Sequence, residues 1–337
     1  MKLFLRSQSL SFLIVISLIG WSFGCVSPES DVSEKIELSD IDVLNQQILD
    51  DPNNSELYFE RALQHKKSLD YTTAFNDLDR ALDLDSTNSE FHTERGSLLY
   101  TVGRVGEAKF ALEKAMELDP DNVNAKLTMA EIYFVLTNHD RSMRLINHAL
   151  RIDDQLAKAY FLKGLIYKEQ NNSTLQKSSL QTVTELDPDN VEAFNLLGMA
   201  YASEDDALAL QYYESALSID SANREVLYNR AHLYQEQLKT EEALWAYGEL
   251  LRHYPSSAIA HYNSGYIYLG LKSEPTKAVD SFTEAIRLNP EYYQSYYNRG
   301  VALEELGRID QAIEDYQRAL DISPNFEPAI EGLNRLN

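Results

Sequence analysis

Three Tyr-Asn dipeptides recur in the second half of the chain: Tyr228-Asn229, Tyr262-Asn263 and Tyr297-Asn298. An asparagine amide both donates and accepts hydrogen bonds, which matches the groups of an extended peptide backbone. A phenol ring adds flat contact area at low entropic cost. Stacked in register, the three pairs form a ladder suited to an extended peptide. The same spacing fits a second reading, in which the rings pack on neighbouring helices and the amides only tolerate exposure. Other chemistry finds little support. The seven histidines show no HExxH or other zinc spacing, and the chain has no glycine-rich phosphate loop and no GxSxG elbow. Asp119, Asp121 and Asn122 could open a calcium loop, but Pro120 intervenes and no downstream ligand pattern follows. No catalytic residue, metal ligand or cofactor is expected.

A single cysteine, Cys25, carries the other candidate chemistry. The chain opens MKLFLRSQSLSFLIVISLIGWSFGC: Lys2 and Arg6, an apolar run from Leu10 to Ile19, then small residues up to the cysteine. That is the layout of a signal peptide over 1–24, with an apolar run short for a spanning helix. It resembles a bacterial lipoprotein signal, in which the cysteine is lipidated at the cleavage point. Ser22 stands where an aliphatic residue is usual, and Ser22 with Gly24 also suits an ordinary signal peptidase. The expectation is therefore a protein exported to the cell envelope, membrane-anchored through Cys25 and facing the periplasm, or else soluble there. Residues 25–39 are acidic and weakly patterned, as a tether would be.

The net charge of −23 repels phosphates, so a nucleic-acid partner is excluded. Behind the dipeptides lies a longer order. ELDPDN occurs at Glu117–Asn122 and again at Glu185–Asn190, an interval of twice 34 residues. A 34-residue frame places eight blocks in register over 55–326: 55–88, 89–122, 123–156, 157–190, 191–223, 224–257, 258–292 and 293–326. The fifth is one residue short and the seventh one long, both between the apolar segments. Each block reads as two helices and a turn. In 89–122, Gly103 and Gly106 bracket the expected turn. A small residue stands mid-way along every first helix: Ala62, Gly96, Ala130, Gly164, Gly198, Ala231, Gly265 and Gly300. Mid-helix glycine costs about 1 kcal/mol against alanine, so its return implies close approach of another helix. Residues 40–54 and 327–337 read as terminal capping helices, the latter with Ile330, Leu333 and Leu336 on one face. Block 157–190 departs most: Gln176 and Val183 replace alanines, and Asn171–Thr174 is poor helix sequence. It should be the weakest unit.

Period and residues resemble the tetratricopeptide repeat. Phe194, Leu197, Gly198 and Tyr201 match its first motif, with Phe for Trp. Ala278 and Phe282 match its second, and Pro120, Pro188, Pro255, Pro290 and Pro324 its third. The resemblance implies an all-α, right-handed α-solenoid of about eight helix-turn-helix repeats. It further implies that the Tyr-Asn ladder lines a concave groove, as a similar asparagine ladder does in O-linked N-acetylglucosamine transferases. Tyr228, Asn229, His232, Tyr262, Asn263, Tyr266, Tyr297 and Asn298 would form the peptide site, flanked by Glu236, Glu304 and Glu305, with Phe59 and Phe161 at the tyrosine position earlier on. Tyrosines stand where chaperone-binding arrays place a first clamping lysine, which argues against chaperone tails and very acidic peptides. The implied function is a non-enzymatic scaffold or adaptor for envelope proteins, similar to tetratricopeptide lipoproteins of pilus assembly. The rivals are a structural subunit of a secretion or motility complex, and an enzyme or glycan-binding protein.

Overall fold

The computed structural model describes residues 39–204 and 207–336; the signal segment, Cys25 and most of the acidic tether lie outside the described residues. Among the described residues every regular element is a helix. A lone helix α1 (Asp40–Asp50) precedes eight pairs: α2 (Ser55–Lys67) with α3 (Tyr71–Leu84), α4 (Ser89–Thr101) with α5 (Val105–Leu118), α6 (Val123–Val135) with α7 (His139–Ile152), α8 (Ala157–Glu169) with α9 (Ser173–Leu186), α10 (Val191–Ala202) with α11 (Leu208–Ile219), α12 (Arg224–Glu236) with α13 (Thr240–His253), α14 (Ala258–Gly270) with α15 (Pro275–Leu288) and α16 (Tyr293–Glu305) with α17 (Ile309–Ile322). Helix α18 (Glu327–Leu336) closes the series. Each helix packs on its sequence neighbours and, along the first helices, on the next-but-one. This is an α-solenoid.

The boundaries have local causes. Asn54, Asn88, Asn122, Asn190 and Asn223 cap first helices, each side-chain oxygen accepting a backbone N–H of the opening turn. Such a cap is worth about 1 kcal/mol. Between the helices of seven of the pairs the chain passes through one left-handed residue: Leu69, Gly103, Thr137, Asn171, Leu238, Ser273 or Gly307. The next N–H then reaches back to a carbonyl of the first helix, as Arg104 does to Leu99 at 2.8 Å, which satisfies the frayed end. Gly106 is not part of this turn. It lies inside α5 with no atom near its missing Cβ.

The small residues are notches. A Cβ on Gly300 would fall 2.7 Å from Tyr316 Cε1, and one on Gly198 would fall 2.4 Å from Tyr213 Cε1. The large residue that fills each notch stands on the second helix of the same repeat: Leu112, Leu180, Tyr213, Phe282 and Tyr316. The one-residue deletion in repeat five and insertion in repeat seven leave this pairing intact, because both fall before the second helix. At the end of the array Tyr316 is held on both sides, by Gly300 and by Gly332 of α18. The covering face of α18 is built on Ala329 and Gly332, with Leu333 and Leu336 beside them; Ile330 is 38% exposed and turns away.

Arginines at one register of the first helices pin adjacent helices. Arg61 holds Asp77 through two bonds of 2.8 and 2.6 Å, and Arg299 holds Asp315 at 2.8 and 2.7 Å. Arg95 and Arg230 reach back instead, to Asp79 and Glu214 of the preceding repeat.

Candidate functional site

The Tyr-Asn ladder sits on α12, α14 and α16, so the stacking of repeats six to eight positions it. Its rings are half-buried packing elements. Tyr228 lies 6.4 Å from the Tyr247 ring and stacks on His232 at 5.7 Å. Tyr262 meets Phe282 and Tyr292, and Tyr297 meets Tyr316 and Phe326. In each repeat the ladder tyrosine leans on the aromatic residue of its own second helix.

The amides do more than tolerate exposure. Asn229 Nδ2 donates to Asn195 Oδ1 at 3.0 Å, and Asn195 Nδ2 in turn donates to Glu225 Oε1 at 3.1 Å. Asn263 is buried and donates to the Tyr247 hydroxyl at 2.9 Å, which itself donates to Gln235 Oε1 at 2.9 Å. Asn298 Nδ2 donates to the Tyr262 hydroxyl at 3.1 Å and to the Gln294 carbonyl at 3.0 Å. Burial pushes the Tyr247 and Tyr262 phenols up, and these amide donors partly offset it. Each asparagine thus spends donors inside the protein, cross-linking adjacent helices. Among the described residues nothing donates to their Oδ1 acceptors.

Tyr266 is the most exposed of the expected site residues, at 47%. His232 is partly exposed, with its Nδ1 3.6 Å from Glu236. Glu304 is committed elsewhere: Arg335 of α18 grips it at 2.9 and 2.8 Å and the Tyr316 hydroxyl donates to it. Glu305 stays exposed, Phe59 is buried and Phe161 half-buried.

Two recesses flank Tyr228, Asn229 and His232. One, of about 420 Å³, lies between repeats five and six and is bordered by Met199, Ser203, Asn229, His232, Leu233 and Glu236. The other, of about 290 Å³, lies between repeats six and seven and is bordered by Arg224, Glu225, Tyr228, Leu250, Ser257 and Ile259. The sequence did not single out Asn195, Tyr247, Gln235 or Ser257. Register could have flagged Ser257, which stands where other repeats place a capping asparagine and makes no cap hydrogen bond.

The Asp119–Asn122 loop already engages several of its oxygens. Asp119 Oδ1 accepts the Asp121 N–H, and Asn122 caps α6 while donating to Ser89 and Thr93. The ammonium of buried Lys126 donates to the Pro120 carbonyl beside these carboxylates. No cluster of three or more metal-binding side chains occurs among the described residues.

Profiles of the tetratricopeptide repeat match residues 99–165, 157–190, 228–275 and 293–326, together just over half of the chain. The chain belongs to the tetratricopeptide repeat family. Two matched spans, 157–190 and 293–326, coincide with single blocks of the 34-residue frame. This tetratricopeptide repeat protein is 28% identical over 124 residues to RNA polymerase II-associated protein 3 of Homo sapiens, covering 37% of this chain and 18% of that one. It is 33% identical over 103 residues to a probable UDP-N-acetylglucosamine–peptide N-acetylglucosaminyltransferase, SPINDLY, of Arabidopsis thaliana, covering 31% of this chain and 11% of that one. The chain therefore spans less than a fifth of the length of either relative. Its fold is similar to that of PilW, described as a widely conserved type IV pilus biogenesis factor: TM-score 0.55 at 18% identity, covering 60% of this chain and 94% of that one.

Proposed function

We propose that this tetratricopeptide repeat protein is a non-enzymatic scaffold of a bacterial envelope, lipid-anchored through Cys25, which holds an extended segment of a partner protein against the first helices of repeats five to eight. One observation carries the reading. Asn229 and His232 border one recess and Tyr228 a second, with exposed Tyr266 on the next repeat. The Oδ1 acceptors of Asn229 and Asn298 remain for the N–H groups of an incoming backbone. A strand laid there finds hydrogen-bond acceptors and side-chain pockets together, as extended-peptide recognition requires.

The test is crosslinking in cells of the source organism with mass-spectrometric identification. His232→Ala combined with Tyr266→Ala removes exposed contacts and leaves the asparagine network in place. Capture of a partner by the wild type and its loss in this variant is the expected result; equal capture by both overturns the reading. Anchoring has its own test. Palmitate labelling should mark the wild type and be absent from Cys25→Ala, and an unlabelled wild type removes the anchor. A structural-subunit reading has a separate observation in its favour: Phe110 and Trp245, at the same register of second helices, are 74% and 54% exposed. It predicts unchanged partners in the His232/Tyr266 variant and their loss on Phe110→Ser with Trp245→Ser.

A further inference from the structure

The recess between repeats six and seven has an unusual combination of walls. Tyr228, Leu250 and Ile259 make it apolar. Ser257 is 1% exposed, and its hydroxyl finds no hydrogen-bond partner, which costs free energy in a closed protein. At the rim stands Glu225. One of its oxygens accepts from Asn195, and no lysine or arginine among the described residues lies within ion-pair distance of it. Glu192, on the preceding repeat, feels it: partial loss of hydration, then the Glu225 carboxylate, pushes the Glu192 carboxyl up, while Lys168 draws it down in part. Arg224 also borders the recess, but its guanidinium lies over the Tyr254 ring at 5.7 Å.

We infer that this recess receives a lysine side chain of the segment bound in the groove. The inference rests on the groove reading above and names the chemistry of its ligand. The apolar walls suit the four methylenes of a lysine, whose stem buries while its head seeks polar partners. The Tyr228 ring adds a face for the cation. The ammonium then meets the free Glu225 oxygen and the orphaned Ser257 hydroxyl, each through a single bond. An ammonium makes such separate single bonds readily, whereas a guanidinium is built for a two-oxygen fork that Glu225, half engaged by Asn195, does not offer. An acidic side chain is repelled by Glu192 and Glu225, and a purely aliphatic one leaves the hydroxyl and carboxylate unanswered.

The experiment is selection of a phage-displayed random dodecapeptide library on the full chain. It is followed by fluorescence anisotropy of the best binder and of its norleucine and arginine versions. Selected sequences should align on one lysine. Replacing it by norleucine should weaken binding about tenfold, the size expected of one charged hydrogen bond. Glu225→Gln and Ser257→Ala, with unchanged thermal melts, should each narrow the gap between the lysine and norleucine peptides. Peptides that bind and are lost with His232→Ala/Tyr266→Ala, yet show no lysine preference, overturn this inference and leave the groove reading standing. A lysine peptide that binds Glu225→Gln as tightly as wild type also overturns it. A library that yields no binder removes both.

Discussion

At the scale of single residues the most constrained group is the Tyr247 hydroxyl. It is fully buried, accepts from Asn263 and donates to Gln235, so one phenol bridges α12, α13 and α14. Tyr247→Phe keeps the ring in its notch but leaves a buried amide donor and an amide oxygen unanswered. The expected cost is about 1–3 kcal/mol, read as a lower midpoint in urea; an unchanged midpoint would show that water reaches these groups. The opposite case is Leu238, held at φ +56° and 69% exposed. Its side chain buries little and its backbone is strained, since left-handed conformation costs an L-residue roughly 1–2 kcal/mol. Leu238→Gly relieves that strain and loses part of the gain to unfolded-chain entropy, so it should raise stability by about 0.5–1 kcal/mol. A lower melting temperature in Leu238→Gly would contradict this. The Tyr-Asn ladder was legible as a spacing, but its use was not. Whether an amide faces solvent or a neighbouring hydroxyl depends on Asn195 and Tyr247, which no motif links to it.

At the scale of elements the period was legible because it is repeated physics: an asparagine that caps, a small residue that admits a neighbour, a large residue that fills the notch. The turns read less well. Gly106 carries a turn-former's identity but sits in α5, because the left-handed requirement falls at one position per turn. Among the described turns that position is met by leucine, threonine, asparagine or serine five times and by glycine twice, since packing on both sides fixes the backbone. Asn171–Thr174, read as poor helix, is poor helix for a reason: Asn171 takes the left-handed position and Asn172 caps α9. The expected weakness of repeat four rests instead on Leu156, which stands at a capping position without a cap hydrogen bond, and on Gln176, buried where other repeats hold alanine or serine. Amide exchange should therefore be faster in α8 and α9 than in α6 and α7. Leu156→Asn should slow it and add about 1 kcal/mol, provided the lost Leu156 contacts with its neighbours are small. Exchange no faster in repeat four than in repeat three would refute the weakness outright.

For the whole molecule the governing quantity is the chain's net charge of −23, nearly all of it spread along a one-dimensional array. A solenoid touches only its near neighbours, so self-repulsion acts along its length with no distant contact to offset it. Carboxylates of successive repeats show the effect locally. Lost hydration, then Glu90, Glu60 and Asp85, raise the Glu56 carboxyl, and Glu192 is raised in the same way beside Glu225. A raised carboxyl binds its proton more readily in the folded chain than in the unfolded one. Stability from these two groups is therefore present at and below the ordinary carboxylate value, about 4.3 for glutamate, and is lost as pH rises through the raised folded value. Glu304 has the reverse sign. Hydrogen bonds from Arg335 chiefly, and also from Tyr316, hold it below the ordinary range, so its contribution is present above that range and lost as pH falls through the lowered value. The two signs act in different windows. Descending from neutrality, the raised groups protonate first and repulsion falls; only further down is the Arg335 clasp on α18 released. In dilute buffer the melting temperature should thus rise on acidification toward the upper carboxylate range and fall again below it. At neutral pH about 0.15 M salt, with a screening length near 8 Å, should reproduce the rise and flatten the acid-side gain. A melting temperature that drops on adding salt at neutral pH would mean that ion pairs such as Arg299–Asp315, rather than like-charge repulsion, dominate the electrostatics of the array.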